Sequence, residues 1–234
     1  MQALLLAGGL GTRLRSVVDD RPKPMAPVGD KPFLYYLVEQ LKKNGITDVI
    51  FAVGYKGSMI EEYFGDGKEF GIKISYSYEK EQLGTAGAIK NAVKYINQEY
   101  FLVLNADTFY NLEYGSLLDI REQEDSKMVL VLREIEESSR YGVVTLNGSR
   151  ITGFNEKVQG SGKALINGGV YLMDKSLLDE IPESKCSLEN EMIPLWLNKG
   201  YKLSAYINDG YFIDIGIPED YFRFRKDAAE FGWR

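Results

Sequence analysis

The sequence predicts an α/β protein built on a mainly parallel sheet. Three observations predict it. Buried-strand patterns alternate with helical patterns through the first half, and the first strand runs directly into a glycine-rich loop. The third is size: 234 residues, 44% hydrophobic, suffice for one compact domain with a core of its own.

The elements follow in order. Residues 2–6 form a short apolar run that ends in glycines, a strand entering a loop. Residues 33–44 carry Phe33, Leu34, Leu37, Val38 and Leu41 at helical spacing, with Gly45 as the stop. A second strand is expected at 48–53, a short helix at 58–64, a third strand at 72–78 and a helix at 85–96. Residues 100–105 form a fourth buried strand, ending at Ala106-Asp107. Strands alternating with helices imply right-handed βαβ units. Beyond them, 114–124 reads as a helix and 128–133 as a strand. The runs 143–146 and 151–155, separated by Asn147-Gly148-Ser149-Arg150, read as a hairpin. A strand at 165–173, helices at 175–181 and 188–197 and a strand at 203–207 come next. A closing helix at 218–231 has Pro218 in its first turn. Neither repeats nor a long linker break the chain, so 1–234 reads as a single domain.

Composition excludes several chemistries. The chain has no histidine, so Ser-His-Asp or Cys-His machinery and histidine-ligated zinc are ruled out. Catalysis must then run on carboxylates, lysine, arginine, backbone donors or a bound hard cation, an inventory suited to phosphate chemistry. One cysteine, Cys186, cannot form an internal disulfide. The opening MQALLLAGGLG is neither a signal peptide nor a spanning helix, and no other apolar stretch approaches membrane length. The expected location is therefore cytoplasmic, without a membrane partner. A net charge of −6 argues against nucleic acid as a partner. Arg13, Arg15, Arg21, Lys23 and Lys31 nevertheless make one stretch locally basic.

That stretch includes Leu6-Ala7-Gly8-Gly9-Leu10-Gly11-Thr12-Arg13-Leu14. Three glycines in four residues let backbone N–H groups turn towards an anion and form a phosphate cradle. The loop is not a P-loop, because no glycine is followed by lysine and a hydroxyl residue at the required spacing. It is not the dinucleotide fingerprint either, since Leu14 stands where the third glycine belongs. Arg13 offers a bidentate fork to a polyphosphate. Pro22 and Pro24 stiffen the chain around Lys23 and fix where its ammonium points.

LAGGLGTRL followed by PKPM resembles the opening of the sugar-1-phosphate nucleotidyltransferase family. The resemblance implies a Rossmann-like three-layer α/β/α fold with a small β-rich sugar-binding insertion. It divides the chain into a nucleotide-binding half, 1–110, and a half with the sugar site and closing helix, 111–234. It also implies that Leu6, Ala7, Gly8, Gly9, Gly11 and Thr12 hold nucleotide phosphates, that Arg13 neutralises departing pyrophosphate, and that Lys23 contacts the α-phosphate.

Other positions match the family in the same way. Leu83–Gly87 resembles its L-G-T-A-G contact to base and ribose, with Gly84 and Thr85 at the contact and Thr85 as the expected N-cap. Asp107, at the carboxyl end of a strand, points into the crevice where open α/β sheets bind ligands. By resemblance it is one Mg²⁺ ligand, and Asp214, in FIDIGIP, is the second. Tyr141-Gly142-Val143, Phe154-Asn155-Glu156-Lys157 and Asn167-Gly168-Gly169-Val170-Tyr171 resemble the family's sugar-site segments. These place Gly142, Asn155, Glu156, Asn167 and Gly168 near the sugar and Lys157 on its phosphate. Val158 stands where the family usually has proline.

Glu79 precedes the Gly84 turn, where the family reads the base. A carboxylate only accepts hydrogen bonds, and guanine offers N1–H and N2–H₂ side by side, so Glu79 favours GTP as the nucleoside triphosphate. KPMAPVGDKPFL and YFIDIGIPEDY resemble most the branch acting on D-glycero-D-manno-heptose 1-phosphate. Mannose-1-phosphate guanylyltransferases and short uridylyltransferases are the neighbouring branches. Two other classes stay in view: a glycosyltransferase, although Asn105-Ala106-Asp107 lacks the first acid of its D-x-D cluster, and a silent regulatory subunit. The aromatic tail Tyr221, Phe222, Phe224, Phe231 and Trp233 leaves two readings open, a homodimer surface or a helix packed on its own domain.

Overall fold

A computed structural model describes residues 1–136, 141–156 and 163–232. In chain order the elements are β1 (Gln2–Ala7), β2 (Pro27–Val28), β3 (Lys31–Pro32), α1 (Phe33–Lys43), β4 (Asp48–Val53), α2 (Gly57–Phe64), β5 (Lys73–Tyr78) and α3 (Gly84–Asn91). Next come β6 (Tyr100–Asn105), β7 (Thr108–Tyr110), α4 (Gly115–Glu124), β8 (Met128–Ile135), β9 (Gly142–Asn147), β10 (Arg150–Glu156) and β11 (Ala164–Asp174). The last are α5 (Ile193–Asn198), β12 (Leu203–Ile207), β13 (Phe212–Asp214) and α6 (Pro218–Glu230).

Nine strands form one sheet in the order β5-β4-β1-β6-β11-β8-β12-β10-β9. The expected parallel pairing runs through β5, β4, β1 and β6 and recurs between β8 and β12. Antiparallel pairs enter with β11 on β6 and continue through β10 and β9, so the whole sheet is mixed. Val143 of β9 also pairs with Ile166 of β11, which curls that end of the sheet back on itself.

Alternation along the central strands builds two cores. Ala3, Leu5, Phe51, Leu102, Leu104 and Val129 face a layer formed by α1, α2, α4 and α6. Leu4, Ile50, Ala52, Phe101, Val103 and Leu130 face α3, α5 and the turns that precede α5. A strand buried on both faces must be apolar at every position, which is why these runs show no polar alternation.

The expected helix at 85–96 ends at Asn91 and is followed by a separate 3-10 turn, Val93–Tyr95. The 175–181 segment is a 3-10 helix, Lys175–Glu180. Pro182 holds Ile181 extended (ψ 126°), which leaves too few residues for a settled α-helix. The 188–197 segment opens as a π-turn, Leu188–Met192, capped by Ser187, and only then becomes α5.

The closing helix packs on its own domain. Phe224 lies edge-on to Phe33 and Tyr36, and Tyr221 donates a 2.6 Å hydrogen bond to the Pro27 carbonyl. That bond ties α6 to β2, four residues after Lys23. Phe222 and Phe231 stay exposed, and Trp233 lies outside the described residues. Among the described residues no helix is long and apolar enough to cross a membrane.

Candidate active site

The site grows from the carboxyl ends of β1, β5 and β6. At the end of β1 the chain enters the glycine loop, and the two outer glycines are required for different reasons. A Cβ on Gly8 would lie 2.1 Å from Oε1 of Glu79, so only glycine lets that carboxylate pack on the loop. Gly11 adopts φ +59° and turns the chain into the 3-10 turn Thr12–Leu14 beside Lys23, whose Cβ would be 3.0 Å from an added methyl. Thr12 and Arg13 themselves are exposed. The Arg13 guanidinium reaches the neighbourhood of Gly216, on the loop that follows Asp214.

Two short strands bring the acids together. β13 pairs antiparallel with β7, setting Asp214 opposite Thr108, and the Ile215 N–H donates to the Asp107 carbonyl at 2.9 Å. The Lys23 ammonium lies 2.6 Å from Asp107 Oδ2. Withdrawal from solvent raises the Asp107 carboxyl, but the charge and hydrogen bond of Lys23 outweigh it and hold the group below the ordinary carboxylate value. Among the described residues Asp214 forms no such ion pair, and the Lys23 charge lowers it only from a distance. Burial first, then the nearby Asp107 charge, push its carboxyl up to about 6. The Gly216 N–H, 2.7 Å from its Oδ1, offsets only part of this.

A carboxylate raised by burial and only partly compensated, beside a second acid, is a donor set suited to a hard divalent cation. Among the described residues no three-acid cluster occurs, so substrate oxygens and water would complete the shell. The two acids therefore fit Mg²⁺.

A cavity of about 340 Å³ adjoins Asp107. Of the expected nucleotide contacts, Leu6, Gly8, Gly9, Glu79, Gly84, Thr85 and Asp107 line it. Ala7, Gly11 and Lys23 line a smaller recess next to Asp107. Burial raises the Glu79 carboxyl, although the Leu83 N–H donates to it at 3.2 Å. Thr85 is not the N-cap of α3. It lies within the first turn, where its hydroxyl donates to Glu189 and accepts from the Leu188 N–H.

Two lining residues escape motif reading. Asn105 stands two positions before Asp107, and period-2 alternation alone would have placed it on the same face. Lys185 arrives on a loop docked against α3, where Cys186 O accepts from Ala86 and Gly87 and Cys186 N–H donates to Leu83 O. No local pattern marks that docking.

The expected sugar residues gather around the curled end of the sheet. Asn155 pairs with Val143, Glu156 pairs by its backbone with Gly142, and Val143 also meets Ile166, the neighbour of Asn167. Gly168 lies against the Tyr110 ring, and Gly169 against the Asn105 side chain on the cavity wall. Lys157 lies outside the described residues.

A glycine loop, a lysine, a half-buried acid pair and a cavity at the carboxyl ends of parallel strands are the parts of a nucleotide-handling phosphotransfer enzyme. The sequence matches the Nucleotidyl transferase family over residues 2–230, and the chain belongs to it. It is 47% identical over 230 residues to a D-glycero-alpha-D-manno-heptose 1-phosphate guanylyltransferase of Campylobacter jejuni, spanning 96% of this chain and 98% of that one. A protein of the same description from Aneurinibacillus thermoaerophilus is 42% identical, over 99% and 100% of the two chains. Among solved structures, HddC from Yersinia pseudotuberculosis complexed with GMP-PN superposes with a TM-score of 0.86 at 36% identity, covering 97% of this chain and 98% of that one.

Proposed function

We propose that the chain transfers GMP from GTP to D-glycero-α-D-manno-heptose 1-phosphate, releasing pyrophosphate and yielding a GDP-heptose for cell-surface glycan synthesis. The observation that carries this reading is the end-to-end likeness to two heptose 1-phosphate guanylyltransferases. The acceptor-only Glu79 on the cavity wall, suited to a guanine edge, supports the base.

The nucleophile needs no general base, because a sugar phosphate is largely dianionic near neutral pH, with a second pKa of about 6. The task is to bring two anions together in line, by positioning and charge. Arg13 and the glycine loop receive the pyrophosphate, and Lys23 stabilises the α-phosphate. Lys157 grips the sugar phosphate, while Gly142, Asn155, Glu156, Asn167 and Gly168 shape the sugar site. Asp107 and Asp214 would hold Mg²⁺, which supplies charge neutralisation to the phosphates when bound.

In this reading 1–234 is one domain, with nucleotide handled by 1–110 and sugar by 111–234. The reading also puts the chain in the cytoplasm. The residues of the closing helix that stay exposed, Phe222 and Phe231, would be the surface if the chain forms a homodimer, and mass in solution decides between dimer and monomer.

The test is pyrophosphate release with five nucleoside triphosphates against heptose, mannose, glucose and N-acetylglucosamine 1-phosphates. The highest kcat/KM is expected for GTP with the heptose. A higher value with mannose 1-phosphate would move the protein to the neighbouring branch, and silence with every pair would sink the reading.

A further inference from the structure

Glu189 belongs to none of the motifs above, yet it joins the two halves of the site. It lies on the π-turn that precedes α5. Its Oε2 accepts from the Thr85 hydroxyl at 2.6 Å and from Ser187 at 3.3 Å, and its Oε1 accepts from the Tyr171 hydroxyl at 2.9 Å. Tyr171 is fully buried, and its oxygen in turn accepts from Asn167 Nδ2 at 2.6 Å. Asn167 Oδ1 accepts from the Gly169 N–H at 3.0 Å.

The chain of bonds has a single sense. A backbone N–H only donates, so the Asn167 atom facing Gly169 must be the carbonyl oxygen, and the amide nitrogen must face Tyr171. The Tyr171 oxygen is therefore an acceptor towards Asn167, and its one hydrogen goes to Glu189. One N–H of the half-buried Asn167 amide remains unassigned. A bulge makes this contact possible: between Asn167 and Tyr171, β11 advances four residues while its partner β8 advances two. In regular strand those residues would stand about 13 Å apart.

We infer that Glu189 is a positioning residue for the sugar subsite. Acting through Tyr171, it holds the Asn167 amide with one N–H directed to an acceptor oxygen of the sugar phosphate, while its second oxygen holds Thr85 at the nucleotide cavity. The inference rests on the proposed role of Asn167 at the sugar, but not on which sugar is the substrate.

The test is a double-mutant cycle on KM, run with whichever substrate pair the wild-type protein turns over. Tyr171→Phe is expected to raise KM for the sugar phosphate about tenfold while KM for the nucleotide stays within about twofold. Asn167→Ala should produce a similar rise, and the double variant should be no worse than Asn167→Ala alone. Glu189→Gln, a half-buried site, should raise both KM values. Tyr171→Phe acting undiminished in the Asn167→Ala background would overturn the inference. So would a fall in Tm with both KM values unchanged, the mark of a merely structural bond. If Asn167→Ala itself left KM unchanged, the sugar role of Asn167 would fail instead, and the inference with it. A wild-type preference for another sugar phosphate would fault only the heptose proposal.

Discussion

Lys23 and Asp107, 84 positions apart, meet at 2.6 Å, so the residue expected to serve the α-phosphate neutralises a residue expected to hold the metal. Replacing the lysine has opposite effects on two observables. Lys23→Met is expected to lower kcat by about 100-fold or more, through loss of charge stabilisation in the transition state. The same change frees Asp107 and should tighten divalent-cation binding to the nucleotide-free protein, read by titration calorimetry. A kcat within a few fold of wild type would remove Lys23 from the mechanism.

Asp214 sets a pH dependence of stability. Its folded carboxyl is raised to about 6, so between its ordinary value of 3.8 and 6 the folded chain keeps a proton that the unfolded chain releases. Through this group the protein loses stability as pH rises from about 4 to 6 and stays level above. Asp214→Asn should therefore raise the Tm of metal-free protein at pH 7.5, worth about 3 kcal/mol, with little effect at pH 4. Thermal melts at the two pH values decide it.

Activity should show the matching acid limb. Below pH about 6 Asp214 is protonated and can no longer serve as the proposed cation ligand, so kcat/KM is expected to fall as pH drops. Cation binds the deprotonated form, so raising Mg²⁺ should shift the limb to lower pH. A limb insensitive to Mg²⁺ would assign it to another group.

Gly8→Ala puts a methyl 2.1 Å from Glu79 Oε1 and drives that side chain off the cavity wall. Nucleotide KM should rise about tenfold or more, and discrimination for guanine should fall with it. Glu79→Gln isolates the second effect, because it keeps the shape and gives the site a donor. Competition between GTP and the other triphosphates would measure both.

Gly168→Ala probes the sugar side. The added methyl would come within 2.7 Å of the buried Tyr110 ring and 3.0 Å of the Val131 carbonyl. Overpacking of this kind costs about 1–3 kcal/mol, which should appear as a lower denaturation midpoint.

Much of this arrangement is legible in the sequence. The parallel strands and the glycine loop are, since short apolar runs alternating with helical patterns, the first of them ending in glycines, leave few alternatives. Resemblance supplies both aspartates, yet their meeting depends on β7 and β13, strands of three residues each. Runs that short carry no periodicity to detect. The insertion of β11 between β6 and β8 is likewise set by pairings far apart in the chain. Glu189 is hidden for another reason. It stands in a stretch that reads as a helix, and only the π-turn aims it at Thr85 and Tyr171.

The β7–β13 ladder also has a consequence in time. Asp214 follows Asp107 by 107 residues, so a ribosome delivers it roughly 5–20 s later, at about 5–20 residues per second. During that interval the nascent chain already carries the glycine loop with Arg13, Lys23 and Asp107, but not the second acid. If the proposed roles hold, the unfinished protein has the residues for gripping a triphosphate before it has the second acid for the cation.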